Sequence, residues 1–275
     1  MRCAWNEVLA VLPQQIRADV DQLGAESMQE LRLRINSPPE LILNDRHLWL
    51  TDVMREKDLN FVLNVACRYS PWAAASISKG YLRISGGHRI GICGDVICRN
   101  GSVSGIQTVK SLCIRVARDY EGIAEGIQYL SESVLIVGAP GWGKTTLLRD
   151  MIRKLSGIRT VAVVDERGEL FPDGFVVGKQ LDILTGCTKS DGIEMLLRTM
   201  GPEFIAVDEI TAEEDCRAII DAANCGVRLL ATCHGVSIND LQERKVYHTL
   251  IEKKIFPTVV LLNKDKSYKV ERMTV

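Results

Sequence analysis

The chain has 275 residues, 46% hydrophobic and 25% charged, which is enough apolar material for a packed core and excludes global disorder. Lys and Arg number 34 against 35 Asp and Glu, so the net charge of −1 excludes a broadly basic coat for nucleic acid. At roughly 100–200 residues per domain, this length allows one large domain or two small ones.

Trp5, Val8, Leu9, Leu12, Ile16, Val20 and Leu23 recur at helical spacing over 5–23. Met28 to Ile35 alternates apolar with Arg32 and Arg34 and reads as a strand, ended by Pro38-Pro39. Residues 57–79 read as a helix interrupted at Pro71. From Tyr81 to Arg118 glycines at 86, 87, 91, 94, 101 and 105 predict short β segments. Residues 121–130 read as a linking helix, so 1–120 forms an α+β domain of its own.

After Ser131 the rhythm becomes strand–helix alternation. Strands are expected at Val134–Val137, Val161–Val164, Phe204–Val207, Val227–Thr232, Val259–Leu262 and Tyr268–Met273. Helices are expected at Thr145–Leu155, Gly192–Met200, Glu213–Asn224 and Ser237–Lys254. That order predicts an α/β domain over 131–275, with a mostly parallel sheet and helices on both faces.

The chemistry concentrates in this second part. Gly138-Ala139-Pro140-Gly141-Trp142-Gly143-Lys144-Thr145 fits G-x-x-x-x-G-K-[ST], with a strand before and a helix after. The glycines let backbone N–H groups face a polyphosphate, and the helix N-terminus adds partial positive charge. Lys144 supplies a point charge to the β- and γ-phosphates, the Thr145 hydroxyl a ligand position for Mg²⁺, and Thr146 extends the cradle. The apolar strand 204–207 then ends in Asp208-Glu209, placing carboxylates where ligands bind in such sheets. Asp208 is suited to Mg²⁺ and Glu209 to polarising a water. A rival source of the base is the acidic stretch Asp165-Glu166-Arg167-Gly168-Glu169. His234, after the strand 227–232, is placed to sense a γ-phosphate. Asn263-Lys264-Asp265 imitates a guanine-reading motif, but its aspartate belongs one position later, where Lys266 stands, so ATP is favoured over GTP.

Nine cysteines at 3, 67, 93, 98, 113, 187, 216, 225 and 233 form no CxxC pair or zinc-finger spacing, and reduced thiols are expected. No apolar run approaches the ~18 residues of a membrane span. Met1 to Glu7 lacks the layout of a signal peptide, so a cytoplasmic protein is expected.

Together these motifs resemble the stage III sporulation AA family, relatives of the type II/type IV secretion and pilus ATPases. The resemblance rests on Leu31-Arg32-Leu33-Arg34, Gly86-Gly87-His88-Arg89-Ile90-Gly91 and Ile114-Arg115-Val116-Ala117-Arg118 in the first half. In the second it rests on Gly143-Lys144-Thr145-Thr146-Leu147-Leu148-Arg149-Asp150, Leu196-Leu197-Arg198-Thr199-Met200 and Thr232-x-His234-Gly235. It implies a P-loop NTPase domain of the RecA-like, additional-strand type. It also implies an ATPase of the mother cell that powers a secretion-like complex across the forespore envelope through integral-membrane components. Such ATPases are usually hexameric rings. The resemblance makes Glu169 the base and Glu209 part of the Mg²⁺ side, whereas the residues alone favour Glu209, so both stay open. Ring ATPases need arginines for the charge developing on the γ-phosphate. Arg89, Arg115, Arg118 and Arg198 are the candidates. Gln180-Leu181-Asp182 stands where the family tends to carry Arg-Thr-Asp, which implies a slower ATPase or more reliance on partners. The competing class is a nucleic-acid-dependent ATPase or nucleotide-gated binding module, with Arg32, Arg34, Arg83 and Arg89 as its basic strip.

Overall fold

The structure, a computed structural model, describes residues 1–68, 77, 80–99, 101–127 and 131–273. The chain divides into two compact units, one of 1–119 with 172–175, the other of 120–171 with 176–275.

In the first unit, Pro13 separates helix α1 (Trp5–Val11) from α2 (Gln14–Ser27). Strands β1 (Met28–Arg34), β2 (Glu40–Leu43) and β3 (His47–Trp49) follow, then helix α3 (Glu56–Arg68) and strands β4 (Tyr81–Arg83), β5 (Arg89–Arg99) and β6 (Ser102–Arg115). They form a six-stranded antiparallel sheet in the order β3-β2-β1-β6-β5-β4. Alternate residues of the strands, among them Leu31, Leu33, Leu41, Leu43, Ile90, Ile92, Leu112 and Ile114, pack with α1, α2 and α3 in one core. Strands β2 and β3 were not expected. Nor are the strands here short segments: 89–99 and 102–115 pair as one long antiparallel ladder that absorbs its extra residues in three register shifts. Gly94 sits at the first of these, where a Cβ would fall 1.8 Å from the Thr108 carbonyl oxygen, so the glycine permits close backbone approach instead of ending a strand. The expected interruption at Pro71 lies outside the described residues.

The second unit begins at residue 120. Residues 121–127, expected as a helix, form turns. The buried Asp150 carboxylate accepts the N–H groups of Gly122 (3.2 Å) and Ala124 (2.9 Å), and Gly122 has φ +82°. These bonds hold the backbone in a turn that helical bonding would undo. Then come β7 (Val134–Val137), α4 (Lys144–Leu155), β8 (Val161–Asp165), β9 (Leu181–Thr185), α5 (Lys189–Thr199), β10 (Phe204–Val207), α6 (Glu213–Asn224) and β11 (Arg228–Cys233). Helices α7 (Ile238–Glu243) and α8 (Lys245–Glu252) and the hairpin of β12 (Thr258–Leu262) and β13 (Tyr268–Arg272) complete the unit. The single helix expected over 237–254 is thus two, because Arg244 is extended (φ −91°, ψ 115°). Strand β9 was not expected either.

The sheet order is β13-β12-β7-β11-β10-β8-β9, parallel throughout except for the antiparallel edge strand β13. Its inner strands are apolar on both faces. Val134, Ile136, Val163, Phe204 and Ala206 pack on α4, while Leu135, Val137, Val164, Ile205 and Val207 pack against α5, α6 and α8. One strand, β11, stands between the phosphate-loop strand β7 and the carboxylate strand β10, which is the additional-strand arrangement. The phosphate loop leaves the carboxyl end of β7, and the loops after β8, β10 and β11 leave the same end of the sheet, where parallel sheets bind ligands.

Candidate active site

The phosphate loop leaves the end of β7 and enters α4. Gly141 (φ +77°) and Gly143 (φ +99°) take left-handed backbone conformations that a side chain would strain, and Gly143 caps the helix. Lys144 is therefore the first helical residue, and it is buried. Its Nζ donates to the Ala139 carbonyl (3.2 Å) and to His234 Nδ1 (3.0 Å). An ammonium only donates, so Nδ1 accepts and the ring proton lies on Nε2. Nε2 in turn donates to Glu209 Oε1 at 2.7 Å. Burial lowers the Lys144 pKa, opposed by the Asp208 and Glu209 charges.

Asp208 is held from two sides. Thr145 Oγ1 donates to Oδ2 (2.7 Å) and Thr232 Oγ1 to Oδ1 (2.6 Å). The Thr232 hydroxyl also accepts the Glu209 N–H at 2.8 Å, which braces Glu209 in a left-handed conformation, φ +56°. Such a backbone in a non-glycine residue costs about 1–3 kcal/mol and tends to occur where geometry serves function. Burial would raise the Glu209 pKa, but the His234 hydrogen bond and the charges of Arg167 and Lys144 outweigh it and hold the carboxyl below its ordinary value. Arg167 reaches Glu209 Oε2 at 3.3 Å. Lys144, Thr145, Asp208, Glu209 and His234, read separately from the sequence, thus meet in one hydrogen-bonded cluster. Thr232 and Arg167 join it without having been assigned roles. The only sequence sign of Thr232 is its place in the Thr232-x-His234-Gly235 element.

The donor set suits Mg²⁺: a hydroxyl and a carboxylate are hard oxygen ligands. Among the described residues no group of three or more His, Cys, Asp or Glu gathers for a metal.

The acidic stretch after β8 has a different organisation. Asp165 is buried, and its carboxylate accepts the N–H groups of Glu169 and Leu170, both at 2.9 Å. It folds the loop. Glu166 binds Lys189 (2.7 Å), and the Glu169 carbonyl accepts from Arg149 (2.9 Å). Glu169 itself is exposed. Arg198 stands on the exposed side of α5, paired with Glu194 one turn earlier. Of the other arginine candidates, Arg89 stacks on Tyr81 (4.1 Å), Arg115 pairs with Glu30 (3.1 Å), and Arg118 donates to the Ala25 and Met28 carbonyls. The basic strip is largely neutralised: Arg32 pairs with Glu30 (2.9 Å) and Arg34 with Glu40 (2.7 Å), while Arg83 lies over Tyr81. All nine cysteines are free. Among the described residues no helix is long and apolar enough to cross a membrane.

Strand order, phosphate loop and carboxylate strand define a P-loop NTPase fold of the kind found in secretion and pilus ATPases. Solved structures sharing it include the pilus retraction motor PilT with bound ADP (TM-score 0.64, 16% identical, covering 95% of this chain and 83% of that one). The Legionella pneumophila ATPase DotB is another (TM-score 0.61, 17% identical, covering 94% and 79%). Within that class, the chain belongs to the family described as Sporulation stage III, protein AA, which matches residues 4–272. Stage III sporulation protein AA of Bacillus subtilis (strain 168) is 35% identical over 95% of this chain and 92% of its own length.

Proposed function

We propose that this chain is an ATPase that hydrolyses ATP·Mg²⁺ and serves as the motor of a secretion-like complex in sporulation. The observation that carries the reading is the cluster at the ends of β7, β10 and β11, in which the phosphate-loop Lys144, the Asp208–Glu209 pair and His234 are already joined. ATP lies along Gly138–Thr146. Lys144 exchanges the Ala139 carbonyl and His234 for phosphate oxygens. Thr145 and Asp208 would hold Mg²⁺, which when bound would neutralise phosphate charge. Glu209, ionised at neutral pH, orients the attacking water and takes its proton. Once Lys144 turns to phosphate, His234 Nδ1 is released while Nε2 keeps Glu209, so occupancy of the loop is communicated to the base.

The family supports the biological frame: a cytoplasmic protein of the mother cell, acting as a homo-oligomeric, hexameric ring on integral-membrane components. Arg198, exposed on α5 and paired there with Glu194, fits a contribution to a neighbouring subunit. The 1–120 and 131–275 segments, joined through 121–130, would be the parts that move. The test is ATP turnover by the purified chain against Lys144→Ala, with sedimentation with and without ATP. Full activity in the Lys144 variant would sink the reading, and an unchanging monomer would sink the ring.

A further inference from the structure

Lys189 opens α5, yet it is only 7% exposed. Its ammonium lies 2.7 Å from Glu166 Oε2 and 3.8 Å from Asp215 Oδ2. These carboxylates belong to two different segments, the loop after β8 and the first turn of α6. Glu166 lies in the loop after β8, which the Asp165 carboxylate closes into a tight unit through the Glu169 and Leu170 N–H groups, with Gly168 N–H bonded to the Asp165 carbonyl. Displacing Glu166 therefore displaces Arg167 with it. Asp215 accepts the N–H groups of Thr211 (3.0 Å) and Ala212 (3.2 Å), the residues that follow Asp208-Glu209-Ile210. One buried cation thus ties the loop that carries Arg167 to the loop that carries Glu209, and Arg167 and Glu209 meet 3.3 Å apart beyond the tie.

We propose that Lys189 is a positioning residue for the hydrolytic site. It fixes the spacing of the β8 and β10 loops, so that Arg167 holds one oxygen of Glu209 while His234 holds the other. The catalytic part of this inference rests on the ATPase reading; the structural part does not. A buried ion pair is weak evidence for stability, since burial of both charges offsets their attraction. Here the partners keep other solvation when the lysine goes: Glu166 is 43% exposed at its side chain, and Asp215 retains two backbone N–H groups. Lys189→Met should fold, and the strut should show in geometry more than in melting temperature.

The experiment uses the full chain with Lys189→Met, Arg167→Ala, their combination, and Glu166→Gln. A misplacement of the base relative to bound substrate costs rate strongly. Lys189→Met should lower kcat about tenfold or more, with KM for ATP within about twofold. Because the effect passes through Arg167, adding Lys189→Met to Arg167→Ala should cost less than about twofold further. Glu166→Gln should move kcat in the same direction by less. Fold-losses that multiply in the double variant, or a rise in KM with kcat intact, would overturn the proposal. Hydrogen exchange of the nucleotide-free proteins provides the second readout. Lys189→Met should accelerate exchange in 165–171 and 208–212 and leave 144–155 unchanged. Unchanged exchange in both loops overturns the tie. A wild-type chain without turnover, but with those two loops loosened together, would instead refute the ATPase reading and leave the tie standing.

Discussion

Thr232→Val removes one oxygen and keeps the shape of a fully buried side chain. That oxygen donates to Asp208 Oδ1 at 2.6 Å and accepts the Glu209 N–H at 2.8 Å. The backbone pairing of β11 survives, and so does the bond from Ile210 N–H to the Thr232 carbonyl. Leaving the Glu209 N–H unpaired costs about 1–3 kcal/mol, and losing a hydrogen bond to a charged carboxylate about 1.5–3 kcal/mol. Water and Thr145 can recover part of the second, so a net loss of about 2–5 kcal/mol is expected. At ~2–4 °C per kcal/mol for a unit of this size, the melting temperature should fall by roughly 4–20 °C. The left-handed Glu209 also loses its brace, so kcat should fall about tenfold or more at temperatures where the variant is folded. Scanning calorimetry with ATP turnover measures both, and Thr232→Ser, which keeps the hydroxyl, should recover most of each. A valine variant that melts and turns over like the wild type would refute the bracing argument.

Lys144→Ala should abolish nucleotide-dependent change in the fluorescence of Trp142, which lies inside the loop; a full response would show that the loop binds without its lysine. Glu209→Gln should lower kcat by about 10²–10⁴ with ATP binding kept, and Glu169→Gln by less than about tenfold; the reverse order in single-turnover assays would make Glu169 the base. His88 is buried, donating from Nε2 to the Ala4 carbonyl and accepting the Ala117 N–H, and burial lowers its pKa. The unfolded chain then binds the proton more readily, so stability from the neutral ring is complete above about pH 6.5 and is lost as pH falls through the lower folded value. Melts between about pH 8 and 5 should show that slope, flattened in His88→Gln; identical slopes would count against it. Gly192→Ala should destabilise despite the ~1 kcal/mol that alanine gains in a helix. Its Cβ would lie 2.5 Å from Val164 Cγ1, and a higher melting temperature would contradict that overpacking.

The features readable in the sequence are those whose causes are adjacent in the chain. The phosphate loop is eight consecutive residues, and the carboxylate strand is an apolar run ended by Asp208-Glu209. The apolar strands of the second sheet announce themselves because both faces are covered. What stayed hidden depends on partners far along the chain. Residues 121–127 turn because Asp150 takes their N–H groups. Strand β9 pairs along only one edge, and its half-exposed residues carry little pattern. The break at Arg244 has no glycine or proline to mark it; there Arg244 donates to Asp240 and to the His234 carbonyl. Thr232 looks like any strand threonine until β11 places it beside Asp208.

The Leu147-Leu148-Arg149-Asp150 element shows how a motif can report a connection instead of a catalyst. All four residues are buried on α4, the helix that begins with Lys144 and Thr145. Leu147 and Leu148 anchor it to the sheet. Arg149 donates to the carbonyls of Glu169 and Leu170, and so fixes the far end of the loop that Asp165 closes. Asp150 holds Gly122 and Ala124, and binds Arg153 (2.6 Å), which donates to the Tyr120 carbonyl (3.1 Å). At 1.5 Å per residue, about 9 Å of helix separates Lys144 from Asp150, too short and too well packed to bend. Any shift that phosphate imposes on the start of α4 must therefore be shared by the acidic loop and by the 120–124 turn. Arg149 and Asp150 need no contact with nucleotide to matter for turnover. Their replacement should weaken the link between occupancy and those two segments while leaving the phosphate cradle itself in place.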